Sequence, residues 1–158
     1  YARACYSYES RYLATITSTS KNEFVISNEG IRQESSQQIG APISIEISAL
    51  PTYAEGEVVI GFKLINKGSG FPAKGSCTPS PSFDNVNKIE SFSVSSDVGS
   101  VSCDQTSDVY LSNNEAYIRC KLSGIPTDAP KVQVTLQAIA KYTYYTTTST
   151  TLSVMGGS

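Results

Sequence analysis

Residues 56–66, "GEVVIGFKLIN", place Val58, Ile60, Phe62 and Leu64 on one side of an extended chain. Strict alternation of this kind marks a strand with one face on a core, and no convincing 3.6-residue stripe competes with it. The same period runs outward in both directions. "PISIEISAL" (42–50) sets Ile43, Ile45 and Ile47 against Ser44, Glu46 and Ser48, and "ESFSVSS" (90–96) contributes Phe92 and Val94. "DVYLS" (108–112) reads as a short strand, and "AYIRCKL" (116–122) aligns Ile118, Cys120 and Leu122 against Tyr117, Arg119 and Lys121. Turn clusters such as "NKGSG", "SNNE" and "SGIPTDAP" separate them. Seven or more strands at this spacing predict an all-β chain, an immunoglobulin-like β-sandwich.

A chain of 158 residues suits one domain with a sizeable core. Only 16% of residues are charged and the net charge is −2, so the basic footprint of a nucleic-acid or anionic-membrane partner is missing. No stretch approaches the roughly 18 apolar residues of a membrane span. The four cysteines have no CxxC spacing and the chain has no His to complete a zinc site, so no metal or cofactor is expected. Two disulfides are the better reading. Cys103 shares its parity with Val101, and Cys120 shares its with Ile118 and Leu122, so both face the core from neighbouring strands. Their pairing leaves Cys5 for Cys77, within the Gly/Pro/Ser-rich segment "KGSGFPAKGSCTPSPSFDNVNK" (67–88). In the alternative, Cys5 bonds a neighbouring molecule. Disulfides on a chain rich in Ser and Thr and poor in Lys and Glu predict an extracellular or cell-surface protein, and Tyr at position 1 reads as a mature chain.

Both ends carry long one-sided runs. At the front the parity holds from Ala2 through Ala4, Tyr6, Tyr8, Ser10, Tyr12 and Ala14 to Ile16; at the back it holds from Val132 through Leu136, Ala140, Tyr142 and Tyr144 to Thr146. Each would be a strand of about 15 residues, on the order of 50 Å, where about 5–6 residues is usual. Two outcomes are open: each run bends midway and serves two sheets, or one overhangs and completes the sheet of a neighbour. The second predicts an N-terminal donor arm over residues 1–20, hinged at "STSKNE" (18–23), with residues 21–158 forming the sandwich. The tail "YTYYTTTSTTLSV" (142–154) then reads as the rest of the final strand. The assembly interface would comprise Ala4, Tyr6, Tyr8, Tyr12, Ala14, Ile16, Tyr142 and Tyr144.

The segment from Gly56 to Gly70 resembles the G-x-x-V/I-x-F-x-L/I-x-N-x-G signature of the immunoglobulin-like, CARDB-type modules of archaeal and bacterial surface proteins. A wider likeness is to small secreted archaeal surface proteins with Y-x-Y near each end, here "CYSYES" and "KYTYYT", and a Cys-containing hairpin. Surface filaments of the thread and bundling-pilus kind are built from β-sandwich subunits joined by donor strands. The resemblance therefore implies a filament subunit that partners with itself as a homopolymer.

Catalysis has little to work with. Without His there is no Ser/His or Cys/His pair, and no G-x-S-x-G elbow occurs. Asp97, Asp104, Asp108 and Glu115 lie near adjacent turns, where proximity of acids is ordinary. Asp84, Asn85 and Asn87 fit an Asx turn better than a calcium loop. The 10 Tyr, beside 5 Phe and no Trp, remain as recognition residues. They read first as cross-strand pairs on a half-buried face and second as platforms for glycan. The chain is thus expected to be a non-enzymatic extracellular filament subunit, or alternatively a monomeric adhesive module for glycan or protein.

Overall fold

The computed structural model describes residues 2–40 and 42–149. They form strands β1 (Ala2–Thr19), β2 (Arg32–Ile39), β3 (Ile43–Ala49), β4 (Glu57–Asn66), β5 (Phe71–Ala73), β6 (Lys88–Ser96), β7 (Ser100–Cys103), β8 (Ser107–Tyr110), β9 (Glu115–Ser123) and β10 (Lys131–Thr148). One sheet has the order β2-β1-β10-β6-β8, with β5 also on β10; the other has the order β3-β4-β9-β7. Every ladder is antiparallel. The chain is an all-β sandwich with more than seven strands and long terminal ones.

The alternation in 56–66 has its predicted result. Val58, Ile60, Phe62 and Leu64 are buried and interdigitate with Ile118, Cys120 and Leu122 of β9, Ile43 and Ile45 of β3, and Phe92 of β6. Phe62 and Phe92 meet edge to face across the two sheets, with ring centroids 5.9 Å apart. Cys103 pairs with Cys120 in register between β7 and β9, and Cys5 is bonded to Cys77 of the same chain. No free cysteine remains.

The terminal runs depart from both expected outcomes. Neither switches sheets: β1 and β10 lie side by side along their whole length, from Ala2 opposite Thr148 to Thr19 opposite Lys131. The expected donor arm, 1–20, is therefore not separate from the sandwich, because Ala2–Thr19 sits between β2 and β10 in the larger sheet. Parity identifies which face of a strand is apolar but not which sheet takes the strand up. The assembly set divides accordingly. Tyr12, Ala14, Ile16, Tyr142 and Tyr144 are buried in the chain's own core, Ala4 is half-buried, and Tyr6 and Tyr8 stay 56% and 38% exposed. The part of the tail expectation that falls on residues 150–154 lies outside the described residues.

The expected hinge is also different. "STSKNE" leads into a helix, α1 (Lys21–Ser27). Ser20 is its N-cap, with Oγ accepting from the Glu23 amide at 3.2 Å, and Asn28 closes it in the left-handed conformation at φ 57°. Ser20 and Glu23 carry the S-x-x-E pattern of a capping box, so a short helix was encoded without an apolar stripe.

Candidate functional site

A sandwich of this size covers only part of an 18-residue ribbon, and the far half of β10 is covered in a different way. From Tyr142 to Tyr145 four consecutive residues are buried, so both faces of the strand are packed. The cover comes from loops held by phenol hydroxyls. The Ile43 amide donates to Tyr142 Oη at 3.1 Å, and Ser10 Oγ lies 2.7 Å from the same oxygen. The Gly70 amide donates to Tyr144 Oη at 2.9 Å, and that hydroxyl donates to Asn66 Oδ1 at 2.9 Å. On the opposite face the Thr78 amide donates to Tyr145 Oη at 3.0 Å, and Tyr145 stacks on Phe71 with centroids 5.3 Å apart. The start of β3 and two loops thus have main-chain N–H groups satisfied by "YTYY", which removes the cost of burying them unpaired.

This clamp needs glycine. A Cβ on Gly70 would overlap the Tyr145 carbonyl oxygen, and one on Gly68 would overlap the Tyr144 hydroxyl and come to 2.6 Å from Pro42. The "NKGSG" turn is therefore a close-approach surface as well as a turn.

Burial raises the Tyr142 and Tyr144 phenols above their ordinary value of 10.0, partly offset by the hydrogen bonds they accept. The folded state therefore favours the neutral phenol, whereas the unfolded chain releases these protons from about pH 10 upward. Their contribution is complete below about pH 10 and is lost as the pH rises through the higher folded values. Urea midpoints should hold steady to about pH 9.5 and then fall. The Tyr142→Phe, Tyr144→Phe double variant should show a shallower alkaline slope than the parent.

Tyr6 and Tyr8 extend the aromatic cluster outward. Tyr8 stacks on Tyr142 with centroids 6.0 Å apart and meets Tyr144 edge-on at 6.2 Å, and Tyr6 meets Tyr8 edge-on at 6.3 Å. They belong to a strand with one open side. β2 pairs with β1 only from Arg11 to Thr17, so among the described residues Ala2–Ser10 pairs with β10 alone. The odd-numbered face of this segment is fastened by the Cys5–Cys77 bond and by Arg3 Nη1 donating to Pro79 O at 3.1 Å. Gly40 lies against the Glu9 carbonyl and Ser10 is buried, so the held, unpaired sheet edge runs from Ala2 to Tyr8.

On the same odd face an open cleft of about 440 Å³ is lined in part by Ser7, Glu9, Gly75, Ser91, Lys141 and Thr143. Glu9 is bound by Arg11 Nε at 2.5 Å and lies 3.6 Å from Lys141 Nζ, and the Arg11 hydrogen bond leads the interactions that hold its carboxyl below the usual range.

The acids singled out near the turns do not form one site. Asp97 Oδ1 accepts from the Thr135 amide, and Asp104 Oδ1 accepts from the Arg119 amide. Asp108 pairs with Lys74, and Glu115 with Lys63. Asp84 and Asn85 lie in a single 3-10 turn, and Asn87 adopts the left-handed conformation at φ 58°. No group of three or more potential metal ligands occurs among the described residues. Sequence reasoning found the tyrosines but not their hydroxyl partners, which are backbone amides 67 to 99 residues away and the side chains of Ser10 and Asn66.

The fold and its two disulfides define an all-β sandwich of a kind that fits an extracellular or secreted protein. No helix among the described residues is long and apolar enough to cross a membrane. No protein-family model matches the chain, and no curated protein matches it. Among solved structures it is similar to the envelope protein VP37 of White Spot Syndrome Virus at 10% identity and a TM-score of 0.34, over 88% of this chain and 98% of that one. A likeness at that level carries no functional argument.

Proposed function

We propose that this chain is a non-enzymatic structural subunit that associates with copies of itself into an extracellular surface filament or appendage. The observation that supports this reading is the open edge of β1 over Ala2–Tyr8, paired to β10 on its other side and fastened by a disulfide. Natural sheets protect such an edge with prolines, bulges or repeated charges. Ala2–Ser10 has no Pro and only Arg3 and Glu9 as charged residues, and the bulge in the β1–β2 ladder lies further on, between Thr15 and Ile16. The edge suits strand addition, in which main-chain hydrogen bonds supply affinity.

The N-terminal arm is not the donated element in this reading. Its bond to Cys77 ties it to its own subunit, and Tyr12, Ala14 and Ile16 are already used in the core. It offers an edge to which a second copy can pair. Negative-stain imaging of the purified, oxidised chain is expected to show fibres or regular oligomers; uniformly monomeric particles at high concentration would contradict self-assembly. The polar cleft around Glu9 and Lys141 favours a second reading, a monomeric module that binds glycan or protein. That reading predicts monomers.

A further inference from the structure

We infer that the open edge of β1 is self-complementary and pairs with the same edge of a second copy, antiparallel and centred on Tyr6. This inference rests on the self-association reading above and names the surface and register that carry it.

β2 ends at Ile39, opposite Arg11, and Gly40 then lies against the Glu9 carbonyl and the buried Ser10, which leaves an open edge along β1 from Ala2 to Tyr8. A second β1 entering that gap antiparallel, with Tyr6 facing Tyr6, sets each residue opposite the one whose number brings the sum to 12. Arg3 then faces Glu9 of the second copy, and Glu9 faces its Arg3. Ala4 faces Tyr8, and Cys5 faces Ser7. The only two charged residues on the segment are of opposite sign and become cross-strand partners on the odd face, twice by symmetry. On the even face the half-buried Ala4 lies opposite the larger, part-exposed Tyr8, and Tyr6, the most exposed tyrosine of the ribbon, meets its own copy at the centre.

Other registers lose this match. A shift of one residue moves every side chain to the opposite face, and a shift of two in either direction separates Arg3 from Glu9. The new main-chain ladder runs from Ala4 to Tyr8 of each copy, and the Arg3–Glu9 pairs close its two ends beside Gly40. The result is a continuous sheet through both copies that covers both open segments. Such an interface is isologous and closes on itself, so pairs are the unit and any filament grows through a different surface.

The test uses the full-length oxidised chain. Tyr6→Cys is expected to give a disulfide-linked dimer under mild oxidation, whereas Tyr117→Cys, an exposed position on the other sheet, is not. In sedimentation equilibrium Arg3→Glu is expected to weaken association about tenfold, because two like-charge pairs replace two opposite ones. Arg3→Glu combined with Glu9→Arg should recover it. Glu9 also contacts Arg11 and Lys141, so circular dichroism must first show that the double variant is folded; if it is not, the Tyr6→Cys comparison decides. A parent chain that associates while Tyr6→Cys links no better than Tyr117→Cys overturns this interface and leaves self-association standing. A parent chain that stays monomeric throughout overturns both.

Discussion

Replacing Cys5 and Cys77 together by serine is expected to lower the unfolding free energy by about 4 kcal/mol, the largest effect of any covalent change in the chain. The bond closes a loop across a sequence separation of 72, whereas Cys103–Cys120 closes one of 17 and is worth about 3 kcal/mol by the same chain-entropy reasoning. For a domain of this size the loss corresponds to a fall in Tm of about 10 °C. The local consequence is as informative as the global one. Cys5 and Arg3 fasten the far half of β1 to the loop that also seats Tyr145, so the variant should lose protection at Ala2–Ser10 before the rest of the sheet. Urea and thermal unfolding of the serine double variant against the oxidised parent measure this. A change below about 1 kcal/mol would mean that the ribbon holds this end without the bond.

Tyr144→Ala is expected to cost about 3–5 kcal/mol, while Tyr144→Phe costs about 1–3. The phenylalanine variant keeps the ring and leaves the Gly70 amide without its acceptor. Asn66 Oδ1 still accepts from the Gly68 amide at 3.1 Å, so the turn is only partly released. The alanine variant also empties the space between Tyr8, Tyr142 and the "NKGSG" turn. Chemical denaturation of the two variants separates the hydroxyl from the ring. Equal losses in both would mean that the hydroxyl alone matters, and a near-neutral phenylalanine variant would mean that water replaces it.

Much of the fold was legible in residues 43–64 and 116–122, because their alternation sets one face of each strand against a single core. The disulfide between Cys103 and Cys120 followed from parity, which is a local property. The placement of β1 and β10 in one sheet was not legible: their faces are encoded locally, but their neighbours are chosen by contacts more than 100 residues apart. The tyrosine clamp was hidden for a related reason. The phenols meet the backbone amides of Ile43, Gly70 and Thr78, which share no motif, and the side chains of Ser10 and Asn66, which are 132 and 78 residues away from theirs. Helix α1 stands where the sequence reads as a hinge, because a helix of 7 residues with nothing buried has no periodicity and only its S-x-x-E capping pattern marks it.

The central claim is that Ala2–Ser10 is a fixed strand of its own subunit whose outer edge, open from Ala2 to Tyr8, pairs with a second copy. Amide hydrogen exchange resolved along β1, on oxidised protein at low and high concentration, tests it most directly. The account predicts two alternating sets of amides in dilute solution, one protected by β10 and one exchanging freely, with the free set becoming protected as concentration rises. Uniformly rapid exchange from Ala2 to Ser10 in dilute oxidised protein, or a free set unchanged by concentration while the chain assembles, would contradict it.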